Sequence, residues 1–416
     1  MQKYKLRDLI NIHNGSDYKH LMHGDIPLYG SGGLMGHVND FLYDGEAILL
    51  PRKGTLDNIL YVNGKFWTVD TMYYSTVHSE VDAYYLYYYL SLLDLSHLDS
   101  GSALPSMTKS AYYDVEVKLP DYSVQKQISS ILSSLDKKIE LNNKINQKLE
   151  SMAKMIYDYW FVQFDFPDAN GKPYKSSGGK MVYNKELKRE IPEGWEVKKF
   201  EDLADIIGGS TPSKAEPNNF SSSAIPWLTP KDLSLNTMNK FISRGAIDVT
   251  DAGVRSASLR MLPKGTILLT TRAPVGYMAI ARNPVTTNQG FKSFVPKSNL
   301  GYTSEYLFYL IKNNMGLIKK NASGSTFKEI SGSVIKSLKT VAAPKQIIDE
   351  YTKIIKSIFD KQNLLEQENH KLTRLRYWLL PMLMNGQVKV SEAANMVDEA
   401  LMAAEPSIKY GVEESQ

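Results

Sequence analysis

The chain has 416 residues, 43% of them hydrophobic and 23% charged, which is typical of a globular protein with more than one domain. It contains no cysteine, and this excludes disulfides and thiolate metal sites. No apolar run approaches the roughly 18–20 residues of a membrane span, and the first ten residues lack the apolar core of a signal peptide. We therefore expect a cytoplasmic protein with no membrane partner.

The formal net charge of +4 is unevenly spread along the chain. The tail 391–416 carries six acidic residues and one lysine, so the preceding residues are more basic than the total indicates. A moderately basic body is compatible with a polyanionic partner, although many globular proteins are equally basic without one.

An internal repeat defines the organisation of the chain. The first block opens with KLRDLINIHNGSD (5–17) and the second with KFEDLADIIGGSTPS (199–213). Further pairs follow in the same order: IPLYGSGG (26–33) with IPWLTPKD (225–232), GEAILLPRKG (45–54) with KGTILLTTRAP (264–274), TVDTMYYSTV (68–77) with TTNQGFKSFV (286–295), YLYYYL (85–90) with YLFYLI (306–311), and SGSALPSMTKS (100–110) with SGSTFKEISGS (323–333). The shared order predicts two copies of one scaffold, and the differing loops predict two different surfaces.

Within each block, apolar runs bounded by Gly and Pro predict short strands, as at 47–51, 266–271 and 277–281. The tyrosine-rich segment 84–90 and its counterpart 306–311 predict a helix instead. Tyrosines at this density are able to stack on bases. We favour a core-facing helix, because aromatic residues at helical spacing usually pack inward.

Each block is followed by a long helix with a narrow apolar stripe. Steps of three and four run over 131–156, including Met152, and over 347–379, including Ile354. Such stripes are typical of a coiled coil, so we expect the two helices to bury each other. We assign to this seam Leu135, Asn142, Leu149, Leu365, Asn369 and Leu372. The two asparagines are expected to fix the register at some cost in stability.

The length of these helices suggests a function. About 35 residues at 1.5 Å each make a rod of roughly 50 Å, which exceeds one turn of B-DNA at roughly 34 Å. If the helices are antiparallel, two dissimilar heads are expected at opposite ends of a spacer of fixed length. That geometry suits two separate half-sites on one duplex.

The segment between the blocks, MIYDYWFVQFDFPDANGKPYKSSGGKMVYNKELKREIPEGWEV (155–197), closely resembles the central region of specificity subunits of type I restriction–modification systems. In that family the aromatic WF end of a spacer helix leads into FDFP and GKPYK, and IPEGW opens the second target-recognition domain. IPLYGSGG, TRAPVG, NQGF and SGST (323–326) are similar to recurring motifs of the same domains.

The resemblance implies an α+β fold with two pseudo-symmetric mixed α/β target-recognition domains separated by two long antiparallel coiled-coil helices. The domains it implies are a first target-recognition domain (1–121), a first spacer helix (122–160), a linker (161–193), a second target-recognition domain (194–344), a second spacer helix (345–385) and an acidic tail (386–416).

The resemblance also implies a non-catalytic subunit that recognises a bipartite, asymmetric DNA target and directs adenine methylation and restriction by its partners. The implied partners are double-stranded DNA, two modification (methyltransferase) subunits and restriction (motor-nuclease) subunits. No cofactor is expected in this chain; S-adenosylmethionine, ATP and magnesium are expected only in the partner subunits.

Catalytic motifs are missing from the sequence in agreement with this view. DFPD (165–168) differs from the Asn/Asp-Pro-Pro-aromatic motif of amino-methyltransferases, and there is no Walker A sequence. GSGGLMG (30–36) superficially matches a dinucleotide fingerprint, but it opens no convincing helix and is expected to form a turn or a DNA-facing loop. His20, His23 and Asp25 lie close together, and we expect them to be solvated rather than bound to a metal.

DNA contacts are predicted from residue chemistry. Arginine binds guanine through two hydrogen bonds, asparagine and glutamine bind adenine in the same way, and lysine neutralises phosphate. The candidates in the first block are Arg52, Lys53, Lys65, Ser102 and Lys109, and we expect the first three to flank a Gly-rich turn. The candidates in the second block are Lys231, Arg272, Asn288, Gln289, Ser325 and Lys328. Each has a simpler interpretation as a solvated charge or a loop-bracing amide; Asn288 and Gln289 in particular are suited to brace the turn before Phe291.

Aromatic residues recur where both long helices end, and two interpretations stay open. Exposed rings at Tyr157, Trp160, Phe161, Tyr377 and Trp378 would suit docking of partner modification subunits, or the same rings would cap the helices against a neighbouring head.

Two further functions are considered. One is a restriction or methyltransferase protein acting alone, against which the missing motifs argue. The other is a coiled-coil adaptor whose heads bind proteins. Salt dependence separates the adaptor from a DNA-binding subunit, because phosphate-anchored binding weakens steeply as salt rises.

Overall fold

The structure, a computed structural model, describes residues 1–95, 98–99, 105–272, 274–324 and 328–402. The chain divides into two compact units: the first comprises Met1–Leu141 and Glu368–Gln416, and the second comprises Asn142–Gln367. Within the described ranges, no helix combines the length and apolarity needed to cross a membrane.

The first copy of the repeat forms a six-stranded sheet and a separate two-stranded ladder. Its strands are β1 (Gln2–Lys5), β2 (Ile10–His13), β3 (His23–Gly30), β4 (Gly33–Val38), β5 (Tyr43–Pro51), β6 (Leu60–Thr68), β7 (Met72–Val77) and β8 (Glu116–Leu119). The sheet order is β2-β7-β5-β6-β3-β4, and β1 pairs with β8. The GSGG motif forms the turn between β3 and β4, as predicted, and Gly33 adopts a φ of 105° that favours glycine.

Among the described residues of this copy, the helices α1 (Ala83–Ser91) and α2 (Lys109–Tyr113) follow the sheet. Asp82 caps α1 by accepting a hydrogen bond from the Tyr85 amide at 2.8 Å. Tyr85, Leu86 and Tyr88 are buried in the core of the first unit. The predicted core-facing helix is therefore confirmed.

The chain continues through the long helix α3 (Tyr122–Tyr157), which ends in a π-helical turn (Asp158–Val162), and through the hairpin of β9 (Met181–Asn184) and β10 (Arg189–Pro192). The second copy of the repeat has more strands than the first. They are β11 (Glu196–Lys199), β12 (Ala204–Gly208), β13 (Phe220–Ser221), β14 (Ile225–Leu228), β15 (Phe241–Ile242), β16 (Ile247–Val249), β17 (Ile267–Leu269), β18 (Met278–Ala281), β19 (Thr286–Thr287), β20 (Lys292–Pro296) and β21 (Lys339–Ala342).

These strands form a five-stranded sheet β12-β20-β17-β18-β15, a four-stranded sheet β13-β16-β14-β19 and the ladder β11-β21. The helices of this copy are α4 (Phe200–Leu203), α5 (Pro230–Leu235), α6 (Asp251–Ser256), α7 (Ser304–Asn313), α8 (Met315–Lys320) and α9 (Gly332–Ser337). The second long helix, α10 (Lys345–Met384), and α11 (Val390–Met402) follow.

Strand registers confirm the repeat. Ladder β1-β8 places Lys5 opposite Glu116, and ladder β11-β21 places Lys199 opposite Lys339. Parallel pairing recurs between β3 and β6 and between β14 and β19. The amide of Ser16 donates to the Thr68 carbonyl and that of Ser210 to the Thr287 carbonyl, so the structural counterpart of Thr68 is one residue later than the sequence pairing placed it.

The glycine of the Gly-Ser pair near the end of each opening motif is required for the same structural reason in both copies. A Cβ on Gly15 or on Gly209 would overlap a backbone carbonyl of the neighbouring strand segment, Val69 in the first case and Asn288 in the second. Glycine is therefore required at both positions, because the two backbones approach too closely for a side chain.

In the first unit, the start of α3 packs against the end of α10. Leu132, Leu135, Leu372 and Leu379 belong to one core cluster. Lys138 pairs with Glu368 at 3.4 Å, and Asp136 pairs with Arg376. Higher numbers on α3 meet lower numbers on α10, so the helices are antiparallel here.

In the second unit, the end of α3 packs against the start of α10. Gln362 donates to the Asn146 carbonyl at 3.4 Å, and the rings of Tyr157 and Tyr351 lie 6.2 Å apart. The order is again antiparallel. The predicted pairing of the two helices is thus present in each unit.

Most predicted seam positions are buried, and two further stripe positions are not. Leu149 is half-buried, whereas the other assigned seam residues are buried: Leu135, Asn142, Leu365, Asn369 and Leu372. Met152 and Ile354 are about half exposed, and their neighbours Ala153 and Ile355 are buried instead. The stripe drifts because an α-helix has 3.6 rather than 3.5 residues per turn.

Helix α11 belongs to the core of the first unit, where Ala393 and Val397 are buried. The segment predicted as an acidic tail (386–416) therefore includes a packed helix. Residues 403–416 lie outside the described residues, and the predicted domain boundaries stay predictions.

Candidate nucleic-acid interface

Three segments of the first unit meet where β5 ends. Arg52 donates its amide to the Thr71 carbonyl and accepts the Met107 amide, each at 2.9 Å. Lys53 forms an isolated β-bridge with Ser106. The residues after β5, those before β7 and those before α2 therefore form one edge of the unit.

This edge carries a group of cations, which we call the first basic cluster: Arg52, Lys53 and Lys109. The guanidinium of Arg52 and the ammonium of Lys109 each lie 5.7 Å from the ring centroid of Tyr73, within cation–π range. Arg52 also donates to the Asp70 carbonyl at 3.2 Å. Burial and the nearby charge of Lys109 lower the pKa of His13.

Lys65 does not join this cluster, which corrects its predicted place beside the same Gly-rich turn. It faces Asp44 in the β5-β6 ladder, and its ammonium lies 4.7 Å from the Phe41 ring centroid. Eight residues separate Asp44 from Arg52 along the chain, or roughly 26 Å of extended strand. The candidate Ser102 lies outside the described residues.

The second unit has a corresponding edge. Thr271 donates its amide to the Gly290 carbonyl at 2.8 Å and accepts the Ile330 amide at 3.1 Å, and Arg272 forms an isolated β-bridge with Glu329. A Cβ on Gly290 would lie 2.8 Å from Cγ of Pro230, so the first turn of α5 reaches the same edge.

The structure brings most second-block candidates to this edge. Lys231, Gln289 and Lys328 are exposed, and Arg272 and Asn288 are half-buried. Ser325 lies outside the described residues.

The amides at 288 and 289 have structural partners. Asn288 accepts the Gly290 amide at 2.9 Å, and Gln289 accepts the Thr211 hydroxyl. The carbonyl end of each side chain thus braces the turn, as the simpler interpretation expected. Base reading by either residue stays a prediction.

Sequence reasoning missed Lys292, the first residue of β20. Its ammonium would lie 3.3 Å from a Cβ on Gly208, at the same edge. Burial and the charge of Arg272 lower the pKa of Lys292, although Glu329 opposes this shift. The signal was available in the repeat, because a shift of one residue in the pairing places Lys292 opposite Tyr73.

The aromatic docking candidates divide into two groups. Tyr157, Trp160 and Phe161 are buried in the core of the second unit, which corrects the prediction that they are exposed for docking. Tyr377 and Trp378 are 65% and 45% exposed. Docking therefore remains open only for the α10 pair.

A buried ionic network holds the second unit to its parts of α3 and α10. The ammonium of Lys240 lies 2.8 Å from Glu150, 2.9 Å from the Tyr309 hydroxyl and 2.7 Å from Gln362. Lys312 pairs with Glu150 at 2.7 Å. Burial would raise the pKa of Glu150, but the two ammonium groups bring it down to about 2. Burial lowers the pKa of Lys240 to about 8, although Glu150 opposes this.

The same network contains a second carboxylate. Glu366 accepts the amides of Lys240 and Phe241 at 2.7 and 3.1 Å and pairs with Arg282 at 2.8 Å. Burial nevertheless raises the pKa of Glu366 to about 7. A cavity of about 760 Å³ adjoins the network.

A smaller network connects α1 to α3 and α10 in the first unit. The hydroxyls of Tyr84 and Tyr88 donate to Asp136, the former at 3.0 Å, and Asp136 pairs with Arg376. Neither network resembles a metal site: the described part of the chain holds no group of three His, Cys, Asp or Glu side chains suited to a metal ion. His20, His23 and Asp25 are exposed.

Comparison with known proteins places these edges in context. Residues 1–151 and 192–374 match the family described as "Type I restriction modification DNA specificity domain". The chain is 47% identical over 175 residues to the type I restriction enzyme MjaIX specificity subunit of Methanocaldococcus jannaschii, a match that spans 41% of this chain and only 39% of that relative. It is 27% identical over 339 residues to the HindI specificity subunit of Haemophilus influenzae, covering 69% of this chain and 72% of the relative.

A solved structure has the same fold. The type I restriction-modification S subunit from M. genitalium superposes with a TM-score of 0.58 at 14% sequence identity, covering 92% of this chain and 95% of the other.

Proposed function

Because the chain belongs to the family of type I restriction modification DNA specificity domains, we propose that each unit reads one half of a bipartite, asymmetric DNA target. The partner subunits then carry out adenine methylation and restriction on the DNA that this chain selects. S-adenosylmethionine, ATP and magnesium act in those partners, and this chain contributes recognition alone.

One observation carries the proposal: the two units present different side chains on the same backbone scaffold. Lys53 and Arg272 occupy matching positions, each in an isolated β-bridge to the segment that precedes α2 in the first unit and α9 in the second. Beside them, Val69 and Asp70 of the first unit correspond to Asn288 and Gln289 of the second, since the amides of Val69 and Asn288 donate to the matching carbonyls of Tyr29 and Leu228. A shared scaffold with different residues at one edge is suited to two different half-sites.

A chimera tests the assignment of half-sites. Residues 1–121 are replaced by the first block of another family member, and methyladenine is mapped by single-molecule sequencing in cells that carry wild type, chimera or no gene. One half of the methylated sequence is expected to change and the other half to stay. A chimera that methylates the unchanged target would contradict the proposal.

A pair of point variants tests the interface in the first unit. Arg52→Ala is expected to weaken binding to the mapped target by about 1–3 kcal/mol, measured by fluorescence anisotropy on the complex with the modification subunits. Lys65→Ala serves as the matched control because Lys65 lies away from the first basic cluster, and it is expected to bind like wild type. Equal losses in both variants would argue against this edge.

The proposed division of labour has its own test. The purified chain is expected to transfer no methyl group to DNA when S-adenosylmethionine is supplied, and the complex with modification subunits is expected to do so. Turnover by the chain alone would refute a purely recognising role.

We further propose that Tyr377 and Trp378 on α10 dock a modification subunit, since exposed aromatic residues beside an arginine are enriched at interfaces. The guanidinium of Arg376 lies 5.0 Å from the Tyr377 ring centroid. Trp378→Ala is expected to reduce the fraction of modification subunit that co-purifies with the chain. Leu364→Ala, another exposed position on α10, is the control.

A further inference from the structure

Lys292 and Tyr73 occupy the same position in the two units. Strand β2 pairs with β7 so that Ile10 faces Val77, and β12 pairs with β20 so that Ala204 faces Pro296. Four residues before Val77 is Tyr73, and four residues before Pro296 is Lys292. The scaffold therefore places an aromatic ring at this point in one unit and a cation in the other.

The neighbouring position shows the opposite exchange. Thr108 and Ser331 cap α2 and α9 through the same hydrogen bond, each accepting the amide three residues on. The residue after the cap is Lys109 in the first unit and Gly332 in the second. In each unit, one of these two positions carries a lysine. The lysine is at the start of the helix in the first unit and on the strand in the second.

The space around Lys292 fits this exchange. A Cβ on Gly332 would lie 3.2 Å from Cε of Lys292, so the lysine stem fills the space beside the helix start. On the other side, a Cβ on Gly208 would lie 3.3 Å from its ammonium nitrogen. Two glycines therefore leave room for a half-buried lysine at the edge that also carries Arg272.

The charge at this point is not fully compensated. Glu329 attracts the ammonium, but burial and the Arg272 guanidinium outweigh that attraction and lower the pKa of Lys292. A partly desolvated cation beside a second cation gains free energy when an anion approaches. The arrangement favours an anion contributed from outside the unit.

We infer that Lys292 and Arg272 bind a backbone phosphate of the DNA, and that Lys109 and Lys53 bind the corresponding phosphate in the first unit. This inference rests on the proposed function and adds a site to it. A phosphate is favoured over a base edge because Lys292 lies on strand β20 rather than at a loop tip, and because an ammonium is a point charge without planar hydrogen-bonding geometry. The repeat thus retains a sequence-independent contact while exchanging the residues that make it.

The test measures DNA affinity at several salt concentrations for the complex of the full chain with its modification subunits. Lys292→Ala is expected to weaken binding to the mapped target and to an unrelated duplex by similar factors, and to reduce the slope of log affinity against log salt by about 0.9. Lys264→Ala is the matched control, because Lys264 is exposed and precedes the opposite end of β17. It is expected to keep the wild-type slope.

An exchange variant separates lost charge from lost packing. Lys292→Tyr combined with Gly332→Lys transfers the arrangement of the first unit to the second and is expected to restore the wild-type slope, whereas Lys292→Tyr alone is not. Melting temperatures of all variants are recorded, so a change in slope is interpreted only for chains that remain folded at the assay temperature.

Two results would overturn the inference while leaving the proposed function intact. In one, Lys292→Ala binds DNA with the wild-type slope; in the other, it weakens binding to the target alone, which would make Lys292 a reader of bases. If the wild-type complex shows no preference for its mapped target, the proposed function itself fails.

Discussion

The two units attach the same tyrosine to α3 in different ways. Tyr88 of α1 and Tyr309 of α7 occupy matching positions of the repeat, and each hydroxyl donates to a carboxylate on α3, Asp136 in the first unit and Glu150 in the second. Asp136 and Arg376 keep 22% and 25% of their side chains exposed, and Glu150 keeps 31%, whereas Lys240, the cation beside Glu150, keeps only 4%. A duplicated contact has thus become a partly solvated ion pair in one unit and, in the other, a network around a buried lysine.

The strongest test of this comparison is Glu150→Gln. Removing one partner of a buried ion pair leaves an uncompensated charge, which costs about 3–5 kcal/mol, and Lys240 is that charge here. We expect a loss of this size in the free energy of unfolding of the second unit, measured by hydrogen exchange of the α7 amides under native conditions. A loss below about 1 kcal/mol would show that Glu366 and Gln362 suffice to compensate Lys240.

Lowering the pH should destabilise the second unit through protonation of Glu150. The pKa of Glu150 is lowered from 4.5 to about 2 in the folded unit, so its stabilising contribution is present above pH 4.5 and is lost as the pH falls from 4.5 towards 2. We expect the wild-type second unit to lose about 2–3 kcal/mol more over this range than Glu150→Gln does. Parallel stability profiles for the two proteins would contradict the lowered pKa.

Asp136→Asn is the counterpart in the first unit and should cost less. Arg376 stays partly hydrated when its partner is neutralised, so we expect a loss of about 1–2 kcal/mol in the stability of the first unit. Hydrogen exchange of the α1 amides provides the measurement. If this loss equals that of Glu150→Gln, the distinction between a partly solvated pair and a network around a buried lysine breaks down.

The smallest expected effect tests a feature that the units share. The indole N–H of Trp67 donates to the Ser16 carbonyl and that of Trp227 to the Ser210 carbonyl, both at 3.1 Å, although the two tryptophans come from different strands of the matching parallel pairs. Trp67→Phe and Trp227→Phe should each cost about 1 kcal/mol. Hydrogen exchange measures the free energy of unfolding of each unit separately. Unequal losses of that free energy in the two variants would show that the two hydrogen bonds are not equivalent.

Much of the fold was predictable because the repeat contains the sequence pattern of each element twice, so the two copies could be compared. The strand 47–51, the helix at 84–90 and the pairing of α3 with α10 follow from local apolar patterns that occur twice. Exposure at the end of α3 was not predictable. Phe161 packs against Tyr351 and Trp195, with ring centroids 4.9 and 6.0 Å apart, and the partner rings lie far away in sequence.

The candidate interface was harder to predict than the fold. Arg52 and Lys109 were identified from their chemistry, and the structure places both beside the ring of Tyr73. Lys65 was misplaced because residues near the same turn in sequence separate along the two strands of a hairpin. Lys292 was missed because the sequence pairing of the repeat set it opposite Tyr74, and the strand registers shift it by one residue to Tyr73.

The position of α11 has a consequence for biosynthesis. The core of the first unit combines Leu6 and Ile10, from the start of the chain, with Leu379, Ala393 and Val397 near its other end. It cannot close until the segment as far as Val397 has left the ribosome. The second unit occupies the continuous span Asn142–Gln367 and is complete earlier, which reverses the usual amino-terminal-first order of folding during synthesis. A premature stop codon after α10 would therefore damage the half of the molecule that is translated first.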